Sequence, residues 1–72
     1  MVDRVKKIVA DVCHVCHTDI TVERDLTSYG LDSARAMDLV IAIEDTFQVE
    51  IPDDLMYQFR TTNDIVQALE RL

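Results

Sequence analysis

The chain has 72 residues, with 14 Asp and Glu against 7 Lys and Arg and a formal net charge of −7 at pH 7. At this length one small core is expected, a single domain spanning residues 1–72. An apolar content of 49% with one glycine favours a compact helical fold over disorder. The acidity argues against nucleic acid, whose phosphates need basic contacts.

The first helix is predicted from Val2 or Asp3 to about His14. Val2, Val5, Ile8, Val9 and Val12 fall on one face, with Arg4, Lys6, Lys7 and Asp11 outside. This N-terminal stretch has neither the apolar centre nor the cleavage site of a signal peptide. Nowhere does the chain approach the roughly 20 apolar residues of a membrane span. A soluble cytoplasmic protein is expected, and a start at Met1 without a linker suggests a freestanding one.

Cys13-His14-Val15-Cys16-His17 matches the spacing of a c-type haem attachment site. Covalent haem attachment normally requires export, however. Zinc would need a further, distant ligand, and none stands out. A Cys13–Cys16 disulfide is hard to form within a helix and unexpected in a reducing compartment. The plainer reading has Cys16 continuing the apolar line of Val5, Val9 and Val12, with Cys13 at its edge. His14 and His17 then lie at the helix end, where a partly positive ring is favourable. No metal is expected.

A polar connection follows from about His17 to Asp32, rich in Thr, Ser and Asp side chains that compete with helix. Ile20, Val22, Leu26 and Tyr29 are its expected anchors, with at most one short turn inside. Gly30, the only glycine, and Pro52, the only proline, bracket the second helix, predicted from Ser33 to about Gln48. Its inner face is Ala36, Leu39, Val40, Ile43 and Phe47. Met37, Ile41 and Ala42 point the other way, among Asp38 and Asp45. That outer face is too apolar for plain solvent and too acidic for a core, so it reads as a contact surface with a serine at its tip. Between Ala36 and Phe59 there are six acids and no Lys or Arg, which suits a partner carrying a basic patch.

Pro52, Asp53 and Asp54 fit the first turn of a short third helix ending near Phe59. Thr61 or Thr62 caps the last helix, Thr61 with Asp64 resembling a capping box. Ile65, Val66, Leu69 and Leu72 form its inner face. The expected fold is all-α: a small bundle of three main helices and a short third one, with a long loop between the first two.

Ser33 admits two readings. A serine at a helix start is ordinarily a cap, a role for which Asp32 competes. No triad surrounds it, since His14 and His17 lie in a separate segment with no acid to orient them, so nucleophilic catalysis is not expected. A helix N-terminus does favour a bound phosphodiester, which makes Ser33 suited to modification by another enzyme. Gly30 permits a tight approach to it, and Asp32 supplies a carboxylate that could help place Mg²⁺ shared with that enzyme.

Gly30-Leu31-Asp32-Ser33, the amphipathic acidic helix and Glu50-Ile51-Pro52-Asp53-Asp54 together closely resemble the acyl carrier proteins. The resemblance covers nearly the whole chain, including Val5-Lys6-Lys7-Ile8 and Thr61-Thr62. It implies an acyl carrier protein-like bundle whose Ser33 receives 4′-phosphopantetheine from coenzyme A through a phosphopantetheinyl transferase, with Asp32 and Gly30 beside the attachment point. The arm's thiol would hold acyl groups as thioesters for acyl-transferring and chain-elongating enzymes of fatty-acid, polyketide or aminoacyl biosynthesis. The carrier itself would perform no chemistry and would act as a monomer. By position Asp38, Glu44 and Asp45 look like the acids that meet basic docking patches, and Ala34, Met37 and Ile41 like the apolar contacts beside them. Ala36 and Ala68 could leave room between helices for an acyl chain.

The chain departs from the family pattern in having Ala34 where Leu is usual, Arg35 where the fatty-acid type often carries an acid, and Arg60 before the Thr-Thr pair. These departures leave the attachment site intact and make a specialised acyl, polyketide or aminoacyl pathway a serious candidate. From another class, an unmodified helical adaptor binding basic partners through the second helix is the alternative.

Overall fold

The computed structural model describes residues 1–72. Helix α1 runs over Val2–Cys13, α2 over Ser33–Phe47, α3 over Asp53–Met56 and α4 over Thr62–Arg71. There are no β-strands, and α1 packs against both α2 and α4. The four-helix, all-α architecture expected from the apolar periodicity is the one observed.

In α1 the buried side chains are Val5, Val9, Ala10 and Cys13. The helix stops because His14 turns left-handed (φ 58°), its N–H bonding to the Ala10 carbonyl, which also accepts from Val15 N–H at 3.0 Å. A left-handed residue just past the last turn satisfies carbonyls that the helix leaves free. The helix thus ends where it was expected to, near His14, but the stop overturns the expected placing of the cysteines. Cys13 enters the core and Cys16, beyond the break, is exposed. Val2 and Leu72, placed on inner faces by periodicity, are also exposed, since each lies at a chain end beyond the reach of the core.

The connection between α1 and α2 holds two 3-10 turns, His17–Asp19 and Leu26–Tyr29, where at most one was expected. Ile20 and Leu26 fix it to the core, both buried as anticipated. Leu26 N–H bonds to the Arg60 carbonyl at 2.8 Å and Asn63 N–H to the Val22 carbonyl at 2.9 Å, stitching the connection to the α3–α4 joint. The second turn is capped by Asp25, which accepts from the Thr27 backbone N–H at 2.9 Å and the Thr27 hydroxyl at 2.7 Å. These bonds, the hydroxyl's foremost, hold the Asp25 carboxyl below the usual carboxylate range. Their contribution is fully present above that range, near 3.9, and is lost as the pH falls through the lowered value. Tyr29 closes the segment by accepting the Thr21 N–H at 2.8 Å, with the Arg24 guanidinium 5.1 Å from its ring centroid.

Pro52 is the cap of α3 and not its first residue, and regular helix ends at Met56, short of Phe59. Gln58 and Phe59 N–H groups bond three residues back, to Leu55 and Met56, so the expected helix tightens into a 3-10-like end. The capping box of α4 is complete: Thr61 accepts from Asp64 N–H, and the Asp64 carboxylate accepts from Thr61 N–H.

One polar group in the core is unmatched. Thr62 is fully buried and its hydroxyl has no hydrogen-bond partner. Since a buried unpaired hydroxyl costs about 1–3 kcal/mol, Thr62→Val should stabilise the fold by roughly 1 kcal/mol. That corresponds to a melting temperature about 4–8 °C higher for a domain of this size. A lower melting temperature would mean the hydroxyl is satisfied in solution.

Candidate functional site

The site is built at the N-terminus of α2, where the second 3-10 turn hands over to the helix. Gly30 ends that turn in a left-handed conformation (φ 89°), its N–H bonding to the Thr27 carbonyl. A Cβ built there would meet nothing within 4 Å, so glycine is required for backbone conformation and not for clearance. Leu31 then packs against the core, and the chain reaches Asp32 in an extended conformation.

Asp32 is the cap of α2: its carboxylate accepts the Arg35 backbone N–H at 2.8 Å, and its carbonyl accepts Ala36 N–H, also at 2.8 Å. Ser33 is therefore the first helical residue and not the cap. Its hydroxyl is exposed and enters none of the side-chain hydrogen bonds of the fold. The first turn of a helix leaves backbone donors without partners. Here Asp32 takes the one on Arg35, which leaves the N–H groups of Ser33 and Ala34 uncommitted beside the Ser33 oxygen. A hydroxyl with two free donors and the positive end of a helix dipole around it can accept a phosphodiester with little rearrangement.

Down the helix from Ser33, the outer face of α2 carries Ala34, Met37, Asp38, Ile41 and Asp45, all exposed. Met37 is 50% and Ile41 52% exposed, unusual for large apolar side chains near the middle of a helix. Leu39, Val40 and Ile43 are buried on the opposite side, with Ala36 and Phe47 half-buried beside them. Glu44 departs from the expectation of a free docking acid. It is half-buried, and its carboxylate accepts the Ile51 N–H at 2.8 Å, fastening the end of α2 to the segment leading into α3. The acidic residues left free on that face are Asp38 and Asp45. Sequence periodicity gives no signal for the Glu44 bond, because it spans seven residues across a helix end.

The cysteine–histidine segment does not converge on a site. The Cys13 sulfur is in the core while Cys16, His14 and His17 are exposed, and no group of three or more His, Cys, Asp and Glu side chains is gathered to hold a metal. The two thiols differ chemically. Burial pushes the Cys13 thiol up, partly offset by the positive charge of Arg35, whereas a hydrogen bond with the Thr18 hydroxyl (3.1 Å) draws the exposed Cys16 thiol down. Iodoacetamide at neutral pH should thus alkylate Cys16 at least about tenfold faster than Cys13, because the exposed thiolate is the nucleophile. Thr18→Val should narrow the gap. Equal rates, followed by peptide mass spectrometry, would contradict this assignment.

Of Ala36 and Ala68, only the second borders a cleft. A cleft of about 100 Å³ between α3 and α4 is lined by Leu55, Phe59 and Ala68, with Asp64, Gln67 and Arg71 at its polar side. Ala36 lines no cavity. No helix of the structure is long and apolar enough to cross a membrane.

Comparison with known proteins places this geometry in context. The family model described as the phosphopantetheine attachment site matches residues 3–69. The chain is similar to an acyl carrier protein of Clostridium perfringens, 35% identical over 70 residues that cover 96% of this chain and 92% of that protein. It is also 34% identical, over 97% of its length, to a segment of a non-reducing polyketide synthase of Emericella nidulans, of which it spans 3%. Among solved structures, a free-standing peptidyl carrier protein from an uncharacterised Acinetobacter baumannii secondary metabolic pathway superimposes with a TM-score of 0.83. The identity is 27%, covering 97% of this chain and 88% of that one.

Proposed function

The chain belongs to the phosphopantetheine-attachment family and is a carrier protein of that type, and from this membership we propose that the arm is borne on Ser33. The observation that carries the proposal is the Ser33 hydroxyl itself: exposed, spared from capping by Asp32, and flanked by two uncommitted N–H groups. These residues fit the group. Ser33 would supply the ester oxygen, the Ser33 and Ala34 N–H groups would be free to donate to the phosphodiester, and Asp32 keeps the first turn in place while Gly30 sets the chain's entry to it. When attached, the group supplies a terminal thiol that carries an acyl or aminoacyl cargo as a thioester.

The protein's own part is then presentation and not catalysis. Carrier proteins work with phosphopantetheinyl transferases and synthase enzymes. Here the acids Asp38 and Asp45 steer a basic patch of such a partner onto α2, and Ala34, Met37 and Ile41 supply the apolar contact once it is seated. Glu44 supports the same face from within by holding Ile51. We infer a single carrier domain over residues 1–72, acting as a monomer in the cytoplasm. The pathway we favour is a specialised one, polyketide or aminoacyl, with fatty-acid synthesis as the alternative. Ala34 and Arg35 beside Ser33 support this choice, as do the polyketide and peptidyl relatives.

Incubation with coenzyme A and a broad-specificity phosphopantetheinyl transferase tests the carrier reading by intact mass. The expected result is a gain of one arm. No gain, under conditions that load a control carrier, would favour an unmodified adaptor that docks through α2. Identifying the group thioester-linked to the protein isolated from its native cell would decide the pathway.

A further inference from the structure

Arg35 runs against the charge pattern around it. Between Arg24 and Arg60 the chain carries eight Asp and Glu residues, and Arg35 is the one Lys or Arg among them. It lies in the first turn of α2, the helix end that already bears partial positive charge, where a cation is unfavourable. Nothing compensates for it within the fold. Two carboxylates lie three residues away, one on each side: Asp32 is spent on the backbone N–H of Arg35, and Asp38 makes no hydrogen bond with the guanidinium, which enters none of the side-chain hydrogen bonds. It is half-buried at the edge of the α2 outer face, its charge reaching the Cys13 thiol at the end of α1. A residue that breaks a local rule without an internal gain points to a role outside the fold.

Its setting suggests what that role is. Asp38 and Asp45 attract positive charge along α2, while Arg35, two residues from Ser33, opposes it at the serine end. Specificity is often set by such a repulsive element placed within an attractive surface. We propose that Arg35 selects among partners, repelling those whose basic patch runs unbroken up to the modified serine and admitting those that present a carboxylate opposite the guanidinium. This inference rests on the carrier reading of Ser33.

The test measures kcat/KM for arm transfer to the full chain by a broad-specificity transferase with a basic docking patch. Arg35→Gln should raise it about threefold and Arg35→Glu about tenfold, as expected for removing and then reversing a like-charge contact at an interface. Arg35→Lys should behave as wild type, and the differences should shrink at high salt. Melting temperatures of the Gln and Glu variants should be equal to or above that of wild type, since a cation leaves a helix N-terminus. Unchanged kcat/KM across the series would overturn the proposal. So would a loss of transfer that accompanies a lower melting temperature, because Arg35 would then be a structural pin against the end of α1. If the wild-type chain accepts no arm at all, the carrier reading fails and this inference falls with it. Those results are distinct, because charge-insensitive loading leaves the carrier reading standing.

Discussion

Ser33→Ala is expected to abolish acceptance of the phosphopantetheine arm while leaving the fold intact. The loss should be complete because the oxygen proposed to form the ester would be gone, and neighbouring hydroxyls would not replace it. Thr27 and Ser28 spend theirs on Asp25 in the preceding turn. The fold survives because the Ser33 hydroxyl makes no hydrogen bond, and an exposed substitution of that kind falls within about 0.5 kcal/mol. Asp32→Ala provides the contrast. It would remove the cap, at a cost of about 1 kcal/mol, and should slow arm transfer through a loosened first turn without preventing it. Intact mass and thermal melting, measured on both variants, separate a tether from a cap. If Ser33→Ala were as destabilising as Asp32→Ala, the hydroxyl would be structural after all.

Reversing the two free acids, Asp38→Lys with Asp45→Lys, should raise KM for arm transfer at least about tenfold and change kcat little, because charges of this kind act mainly on encounter and docking. The effect diminishes as salt is added, over the range in which the screening length falls below about 10 Å. Helical content by circular dichroism stays the same, since both side chains are exposed and neither enters a hydrogen bond. Glu44→Lys behaves differently. It removes the acceptor for the Ile51 N–H and lowers stability, so its effect on transfer cannot be read as docking alone. Transfer insensitive both to salt and to the double reversal would rule out electrostatic docking through α2.

Much of this was legible in the residues. The i, i+4 apolar spacing of Val5 and Val9, and of Leu39 and Ile43, fixes which faces of α1 and α2 are buried. The Thr61–Asp64 pair announces the start of α4. What periodicity could not supply were interactions that run across element ends. His14 turning left-handed takes Cys16 off the helix and exchanges the roles of Cys13 and Cys16, yet a histidine carries little of the glycine signal that usually marks such a turn. The Glu44–Ile51 bond and the stitching of the α1–α2 connection to Arg60 and Asn63 depend on tertiary geometry, which local pattern does not encode. At the site itself, Asp-Ser left open which side chain caps the helix. The structure assigns the cap to Asp32, and that assignment frees Ser33 for another role.

The most direct measurement is to digest the wild-type protein after loading and locate the added mass by tandem mass spectrometry. A single arm on the peptide containing Ser33, with Ser28, Thr27 and Thr46 unmodified, is the predicted result. An arm on any other hydroxyl, or none on the folded chain under a transferase that loads a control carrier, would contradict it.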